Sequence, residues 1–237
     1  MTGGPLVLGH RGASATAPEN TVAAFARARD LGADGVELDV RRSADGVLTV
    51  HHDPDVAGAG AIAHTLFADL RATAHAIATF DEALDACRGL LVNVEVKCLP
   101  WEPDPDTDGS VMRSTLDAIN AYATTEPCGS FVISSFSIEA VDLAREYAPQ
   151  YPTGWLTHGL PVADGARRAA EHGHGWLNPD YKSALDGGAD GIAAAHELGL
   201  RVSVWTVNEA EDARALAAAG VDIIITNVPD VVLAAVR

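Results

Sequence analysis

Three acidic residues on strand-like segments and two histidine-bearing turns are the part of this sequence able to do chemistry. In Val36-Glu37-Leu38-Asp39-Val40 the carboxylates stand two residues apart. On an extended strand that spacing puts both on one face and the valines and leucine on the other. The segment Asn93-Val94-Glu95-Val96-Lys97 repeats the pattern, with Asn93, Glu95 and Lys97 opposite Val92, Val94 and Val96. Carboxylates gathered away from water repel one another and need a cation. Glu37, Asp39 and Glu95 converging from two strands would make an oxygen-rich site, suited to Mg²⁺, Ca²⁺ or Mn²⁺ rather than zinc. The structural alternative is a set of ion pairs with Arg41 or Lys97, and recurrence on a second strand weighs against it.

The histidines fall into two groups. His10-Arg11-Gly12 follows the first strand-like run directly, and His51-His52-Asp53 closes a hairpin after the second. Two imidazoles beside a metal suit general acid–base work near neutral pH, one accepting a proton while the other donates one. His64, His75, His158, His172, His174 and His196 lack such company and read as structural.

The elements that must position these groups alternate along the chain. Strand-like runs are expected at Leu6–Gly9, Gly35–Arg41, Leu91–Val96, Phe131–Ser134, Thr153–Leu156, Gly175–Leu177, Arg201–Thr206 and Val221–Thr226. Asp45-Gly46 makes a hairpin turn into Val47–His51. Helices are expected near Ala17–Leu31, Phe80–Cys87, Ser110–Ala123, Ile138–Tyr147, Val162–His172, Gly191–Leu198 and Glu209–Ala219. Asn20 and Thr21 are candidate caps for the first helix. Eight strands with intervening helices predict an α/β fold, a (β/α)8 TIM barrel, with an open doubly wound sheet as the alternative. The segments Asp53–Thr79 and Leu99–Asp108 read as loops after strands, and the acidic stretch Trp101–Asp108 as solvated. In a barrel, such loops lie on the catalytic face.

The composition narrows the partners. A formal net charge of −17 argues against a nucleic-acid surface, because the phosphate backbone would be repelled. A phosphate-bearing small molecule would instead need a local positive centre. Cys87, Cys98 and Cys128 lack metal-site spacing and read as free thiols in a reducing compartment. Met1–Pro5 lacks the basic and apolar runs of a signal peptide, and no apolar stretch reaches the roughly 18–20 residues of a membrane span. A cytoplasmic enzyme is expected.

With these residues in view, the sequence resembles the glycerophosphodiester phosphodiesterase family. His10-Arg11-Gly12, Pro18-Glu19-Asn20-Thr21, Ala24-Phe25, Gly32-Ala33-Asp34-Gly35-Val36-Glu37-Leu38-Asp39-Val40, Asp45-Gly46 and His52-Asp53 follow the family's N-terminal order. Asn93-Val94-Glu95-Val96-Lys97, Ser134-Ser135-Phe136, Val204-Trp205-Thr206-Val207-Asn208 and Gly220-Val221-Asp222 through Pro229 match later blocks, so the likeness runs from about residue 6 to 232. The resemblance implies that His10 and His52 are the catalytic histidines. His52 is preferred to His51 because the motif sets the working imidazole directly before the aspartate. It implies that Glu37, Asp39 and Glu95 bind one divalent metal ion, Mg²⁺ or Ca²⁺ with Mn²⁺ also fitting, and that Arg11 and Lys97 hold the phosphate.

Other residues carry two readings each. Glu19 sits either at the site or in a first helical turn, where it would favour the helix dipole. Trp205, on one strand face with Ser203, either lines the pocket against the glycerol carbons or packs as an ordinary core aromatic. Asn208 either hydrogen-bonds substrate or caps the helix opening at Glu209, with capping the preferred reading.

The implied reaction is metal-dependent hydrolysis of a glycerophosphodiester to glycerol 3-phosphate and an alcohol. By likeness, the neighbouring glycerol hydroxyl attacks phosphorus and water opens the cyclic phosphate, with the acid and base roles of the histidines left open. Two departures from the family stand out. Many members carry an Arg-Thr-Thr element and a longer cap after the second histidine, whereas this chain runs Asp53-Pro54-Asp55-Val56-Ala57-Gly58-Ala59-Gly60. A single barrel domain over 1–237, with 53–79 as a reduced cap, is therefore expected. Asn227 also stands where aspartate is common. Competing readings are a lysophospholipase D-like or cyclising phosphodiesterase acting on lysolipid, and a barrel that binds a phosphorylated ligand without turnover.

Overall fold

The computed structural model describes residues 4–99, 102, 105–125 and 130–237. Eight parallel strands close into a barrel: β1 Leu6–His10, β2 Gly35–Arg42, β3 Leu91–Val96, β4 Phe131–Ser135, β5 Thr153–Thr157, β6 Trp176–Pro179, β7 Arg201–Val204 and β8 Ile223–Thr226. Each pairs with its sequence neighbours, and β8 returns to β1 with Leu6 opposite Ile223. The helices are α1 Val22–Asp30, α2 Phe67–Thr73, α3 Phe80–Ala86, α4 Ser110–Thr125, α5 Ile138–Tyr147, α6 Val162–Glu171, α7 Tyr181–Glu197, α8 Ala210–Ala219 and α9 Pro229–Val236. The expected (β/α)8 barrel is the fold.

Strand alternation sets the layers. Val36, Leu38 and Val40 of β2 and Val92, Val94 and Val96 of β3 point outward, packing with Phe25, Phe80 and Leu84 from the surrounding helices. Inside the barrel, Leu8, Val132, Trp176, Ile223 and Ile225 form an apolar plug. The buried polar groups Glu37, Asp39, Asn93, Glu95, Ser134, Asn178 and Ser203 come from the same set of strands. An apolar floor under a polar mouth is what fixes charged groups at one end of the barrel.

Several boundaries differ from expectation. The first helix starts at Val22, not Ala17, because Thr21 caps it by accepting from the Ala24 amide at 3.1 Å. Pro18 and the left-handed Asn20 (φ 56°) hold the preceding residues in a turn. The helix expected at Gly191–Leu198 is longer, Tyr181–Glu197. A break at Gly188 (φ 53°) hides its first half from the periodic pattern. Residues 53–79 are not a plain loop. They fold as a hairpin (Asp55–Val56 with Gly60–Ala61), a 3-10 turn and α2 around Val56, Ile62, Leu70 and Ile77. Pro229 opens α9, which the alternation did not reveal.

Cys87 and Cys98 are buried free thiols, with burial the leading cause that pushes them up to about 12 and about 11; Cys128 lies outside the described residues. Among the described residues, no helix is long and apolar enough to cross a membrane.

Candidate active site

Strand register assembles the mouth. His10 at the end of β1 stands opposite Glu37, and Asp39 stands opposite Glu95 across β2 and β3. Carboxylate oxygens of Glu37, Asp39 and Glu95 lie within 4.8 Å of one another, and all three residues are buried.

The turn after β1 wraps around this triad. Arg11 is left-handed (φ 55°), which brings its backbone N–H to Glu37 Oε2 at 2.9 Å. Its guanidinium reaches Asp39 Oδ2 (Nε at 3.3 Å) and Glu19 Oε1 (Nη1 at 2.9 Å). Gly12 (φ 83°) follows because a Cβ there would sit 2.5 Å from the Ala24 carbonyl carbon. Glu19 precedes the cap of α1, so the helix-dipole reading does not hold; its partner is Arg11.

Asn20 clamps Asp39 from both sides. Its Nδ2 donates to Asp39 Oδ2 at 2.7 Å, and its Oδ1 accepts from the Asp39 amide at 3.3 Å. Lys97 Nζ lies 2.9 Å from Asp39 Oδ1 and also contacts Glu95 Oε1. Burial works against the Asp39 carboxylate, but Lys97 and Arg11 prevail and hold it well below the usual range. Glu37 goes the other way, raised by burial and by the charges of Asp39 and Glu95.

These residues fit a bound cation. Among the described residues, the buried Glu37 Oε1 has no hydrogen-bond partner. With all three carboxylates deprotonated, as metal ligation requires, they leave a formal charge of −1 against Arg11 and Lys97. A dication would bring that to +1, which a phosphodiester monoanion would neutralise. The donors are all carboxylate oxygens, the chemistry of Mg²⁺, Ca²⁺ and Mn²⁺.

The two histidines are held differently. His10 Nδ1 lies 2.7 Å from Asn227 Oδ1, which also accepts from Ser14 Oγ at 2.9 Å. An amide oxygen accepting there assigns the His10 proton to Nδ1 and leaves Nε2 basic, 3.9 Å from Glu37 Oε2. Burial, then Arg11, lowers the His10 imidazole to about 4. His52 Nδ1 faces the Asp53 carboxylate at 2.7 Å. His51 instead turns Nδ1 to the Asp53 carbonyl at 3.0 Å. Arg41 does not pair with the strand acids. It donates to the His52 carbonyl (Nη2 at 2.6 Å) and grips Glu102 bidentately at 2.7 and 2.8 Å, so this part of the acidic stretch is a tether rather than solvated loop. Trp101 lies outside the described residues.

His10, Arg11, His52, Glu95, Lys97 and Trp205 share one cavity of about 610 Å³. Its far wall is apolar, built from Leu99, Phe136, Trp155, Leu156 and Leu160. Trp205 stacks edge-on against Phe136 at 5.4 Å and donates its indole N–H to the Asn178 carbonyl at 2.9 Å. His158, set aside in sequence as structural, lies on the rim 6.1 Å from Trp205. Asn208 is no helix cap: its Oδ1 accepts from the Asn227 amide at 2.9 Å, securing the residue that orients His10. Sequence reasoning missed the clamps Asn20 and Asn227 and the wall residues Trp155 and Leu160. For Asn227, the place directly after β8 was an available signal; Asn20, ten residues past β1, and Trp155, inside β5, carried none of that kind.

Comparison with known proteins bears on this geometry. Residues 10–231 match the glycerophosphoryl diester phosphodiesterase family. The chain is 30% identical to a glycerophosphodiester phosphodiesterase of Caldanaerobacter subterraneus subsp. tengcongensis, over 98% of each chain. A crystal structure from Silicibacter pomeroyi superposes with TM-score 0.85 at 28% identity, covering 100% of this chain and 94% of that one. The crystal structure of a glycerophosphodiester phosphodiesterase from Thermotoga maritima gives TM-score 0.76 at 27% identity, covering 97% and 96%.

Proposed function

The chain belongs to the glycerophosphoryl diester phosphodiesterase family and is a phosphoric diester hydrolase, and we propose that it cleaves glycerophosphodiesters with a divalent ion and a histidine acid–base pair. The observation that carries this reading is the buried Glu37–Asp39–Glu95 triad within 4.8 Å, with His10 and His52 on the same cavity. A divalent ion held by the triad would supply Lewis-acid stabilisation of charge on the phosphoryl oxygens.

The remaining work falls to the protein's own groups. Arg11 and Lys97 orient the phosphate and balance its charge. His10, its Nδ1 bonded to the neutral Asn227 amide, accepts the proton of the attacking hydroxyl at Nε2. His52, its Nδ1 held against the Asp53 carboxylate, gives a proton to the departing alcohol oxygen. The chain acts as one barrel domain, with 53–79 as a small cap.

The test is phosphorus NMR of glycerophosphocholine, glycerophosphoethanolamine and glycerophosphoglycerol, with chelator and then added Mg²⁺ or Ca²⁺. Metal-restored formation of glycerol 3-phosphate, through a transient cyclic phosphate, is expected. Turnover untouched by chelator would exclude the metal role, and no turnover with any ion would favour the binding-only barrel. The apolar wall supports a second reading, a lysolipid as substrate with its chain against Leu99, Phe136 and Leu160. Adding a lysolipid to the panel decides between the two.

A further inference from the structure

Imidazole and carboxylate also converge at the opposite end of the barrel. Asp142 lies on α5, His172 at the C-terminal end of α6, and His174 in the turn entering β6. His172 Nδ1 is 2.8 Å from Asp142 Oδ2, and His174 Nε2 is 3.2 Å from Asp142 Oδ1. One ligand atom from each residue lies within 4.8 Å of the others.

Two atoms here make no hydrogen bond among the described residues. The His174 side chain is 0% exposed, yet its Nε2 meets the buried Asp142 Oδ1 only as a 3.2 Å contact without hydrogen-bond geometry. The other ring nitrogen, Nδ1, lies 2.9 Å from Thr153 Oγ1. With the Nδ1 proton donated to Thr153, the tautomer that a ligating Nε2 requires, a lone pair on Nε2 turns toward a carboxylate oxygen. Two acceptors facing each other in a buried place are unfavourable unless a cation stands between them. Thr153 is then the outer partner that fixes the tautomer of a ligating histidine. The backbone is fixed too, with the His174 amide bonded to the Ala169 carbonyl at 3.0 Å.

We infer that Asp142, His172 and His174 bind a zinc-class dication, separate from the carboxylate triad. Two imidazoles and one carboxylate favour Zn²⁺ or Co²⁺ over Mg²⁺ or Ca²⁺. Tetrahedral zinc with bonds of ~2.0–2.1 Å sets its ligand atoms about 3.3 Å apart, the scale of the separations above. The side chains of His172 and Asp142 are 35% and 29% exposed, so the ion enters from solvent and water completes its shell. Arg145 packs beside Gly173, and its positive charge opposes a bound cation, so the ligand set must outweigh it. The ion ties α5 to the α6–β6 turn and stabilises the folded chain.

The test uses the full chain, stripped by chelator and then saturated with Mg²⁺ so that the triad is occupied. Zn²⁺ is titrated by calorimetry and by thermal unfolding into wild type, Glu37→Gln, Asp142→Asn and His172→Gln. Wild type and Glu37→Gln should take up one Zn²⁺, with Tm rising about 5–10 °C at hundredfold excess over Kd. Asp142→Asn and His172→Gln should lose at least 100-fold in Zn²⁺ affinity while keeping wild-type diester hydrolysis. Wild-type crystals soaked in Zn²⁺ should show anomalous density between the three residues, a readout independent of whether a variant folds. Equal affinity in wild type and Asp142→Asn, no Zn²⁺ uptake by wild type, or anomalous density at the triad alone would each overturn the assignment.

Discussion

Replacing Asn20 separates two things that one residue does. Asn20→Gly keeps the left-handed backbone without strain but removes both bonds to Asp39, at 2.7 and 3.3 Å. The bond to the buried carboxylate contributes about 1.5–3 kcal/mol and the neutral one about 0.5–1.5 kcal/mol. The loss is therefore about 2–4.5 kcal/mol, which for a chain of this size lowers Tm by about 4–18 °C. Asn20→Ala suffers the same loss plus about 1 kcal/mol for an alanine held at positive φ. Asp39 freed of its clamp should also lose about 10–100-fold in Mg²⁺ affinity. Differential scanning calorimetry and Mg²⁺ titration of both variants read these effects. An Asn20→Gly protein with unchanged Tm and Mg²⁺ affinity would refute the idea that the turn before α1 holds Asp39 in place.

His10→Ala and His52→Ala should each reduce turnover about 10²-fold or more with circular dichroism unchanged; a near-normal rate removes that histidine from the reaction. Asp180 caps α7, accepting from the Lys182 and Ser183 amides, the Gly159 amide and the Ser183 hydroxyl. Burial pushes its carboxyl up, but these bonds prevail and hold it below the usual value. A depressed carboxyl stabilises above its unfolded pKa and loses that contribution as pH falls through its folded pKa. Asp180→Asn, which puts an NH2 group where one carboxylate oxygen accepts two hydrogen bonds, should thus cost about 1.5–3 kcal/mol at pH 7. Urea melts should show the gap narrowing below about pH 4; a gap unchanged at low pH contradicts the assignment. Phe80→Ala, which empties a 1% exposed core position, should cost about 3–5 kcal/mol while leaving kcat per folded molecule unchanged.

The acids were legible in sequence because strand alternation is a local rule. Glu37 and Asp39 share a face by spacing alone, and Glu95 follows from the same pattern on β3. Their pairing across the sheet then needs only adjacent strands in register, as Asp39 opposite Glu95 shows. The clamps could not be read this way. Asn20 reaches Asp39 only because its backbone is left-handed, and Asn227 reaches His10 across 217 positions of chain through barrel closure. Asn208 looked like a cap because it precedes a helix, yet a competing long-range amide claimed its oxygen. The first half of α7 was hidden for a different reason: adjacent glycines at 187 and 188 interrupt the helical pattern, although Asp180 still starts the helix.

Arg41 has a consequence for anyone who would redesign the substrate preference. Its guanidinium ties the carbonyl of His52, on the hairpin after β2, to Glu102, in the loop after β3. The His52 carbonyl and Glu102 share one guanidinium, although they belong to different βα units. Exchanging the second loop for another sequence would displace the imidazole on the first unless an acid is kept at position 102. Loop grafting in this barrel should therefore treat the pair as a single cassette.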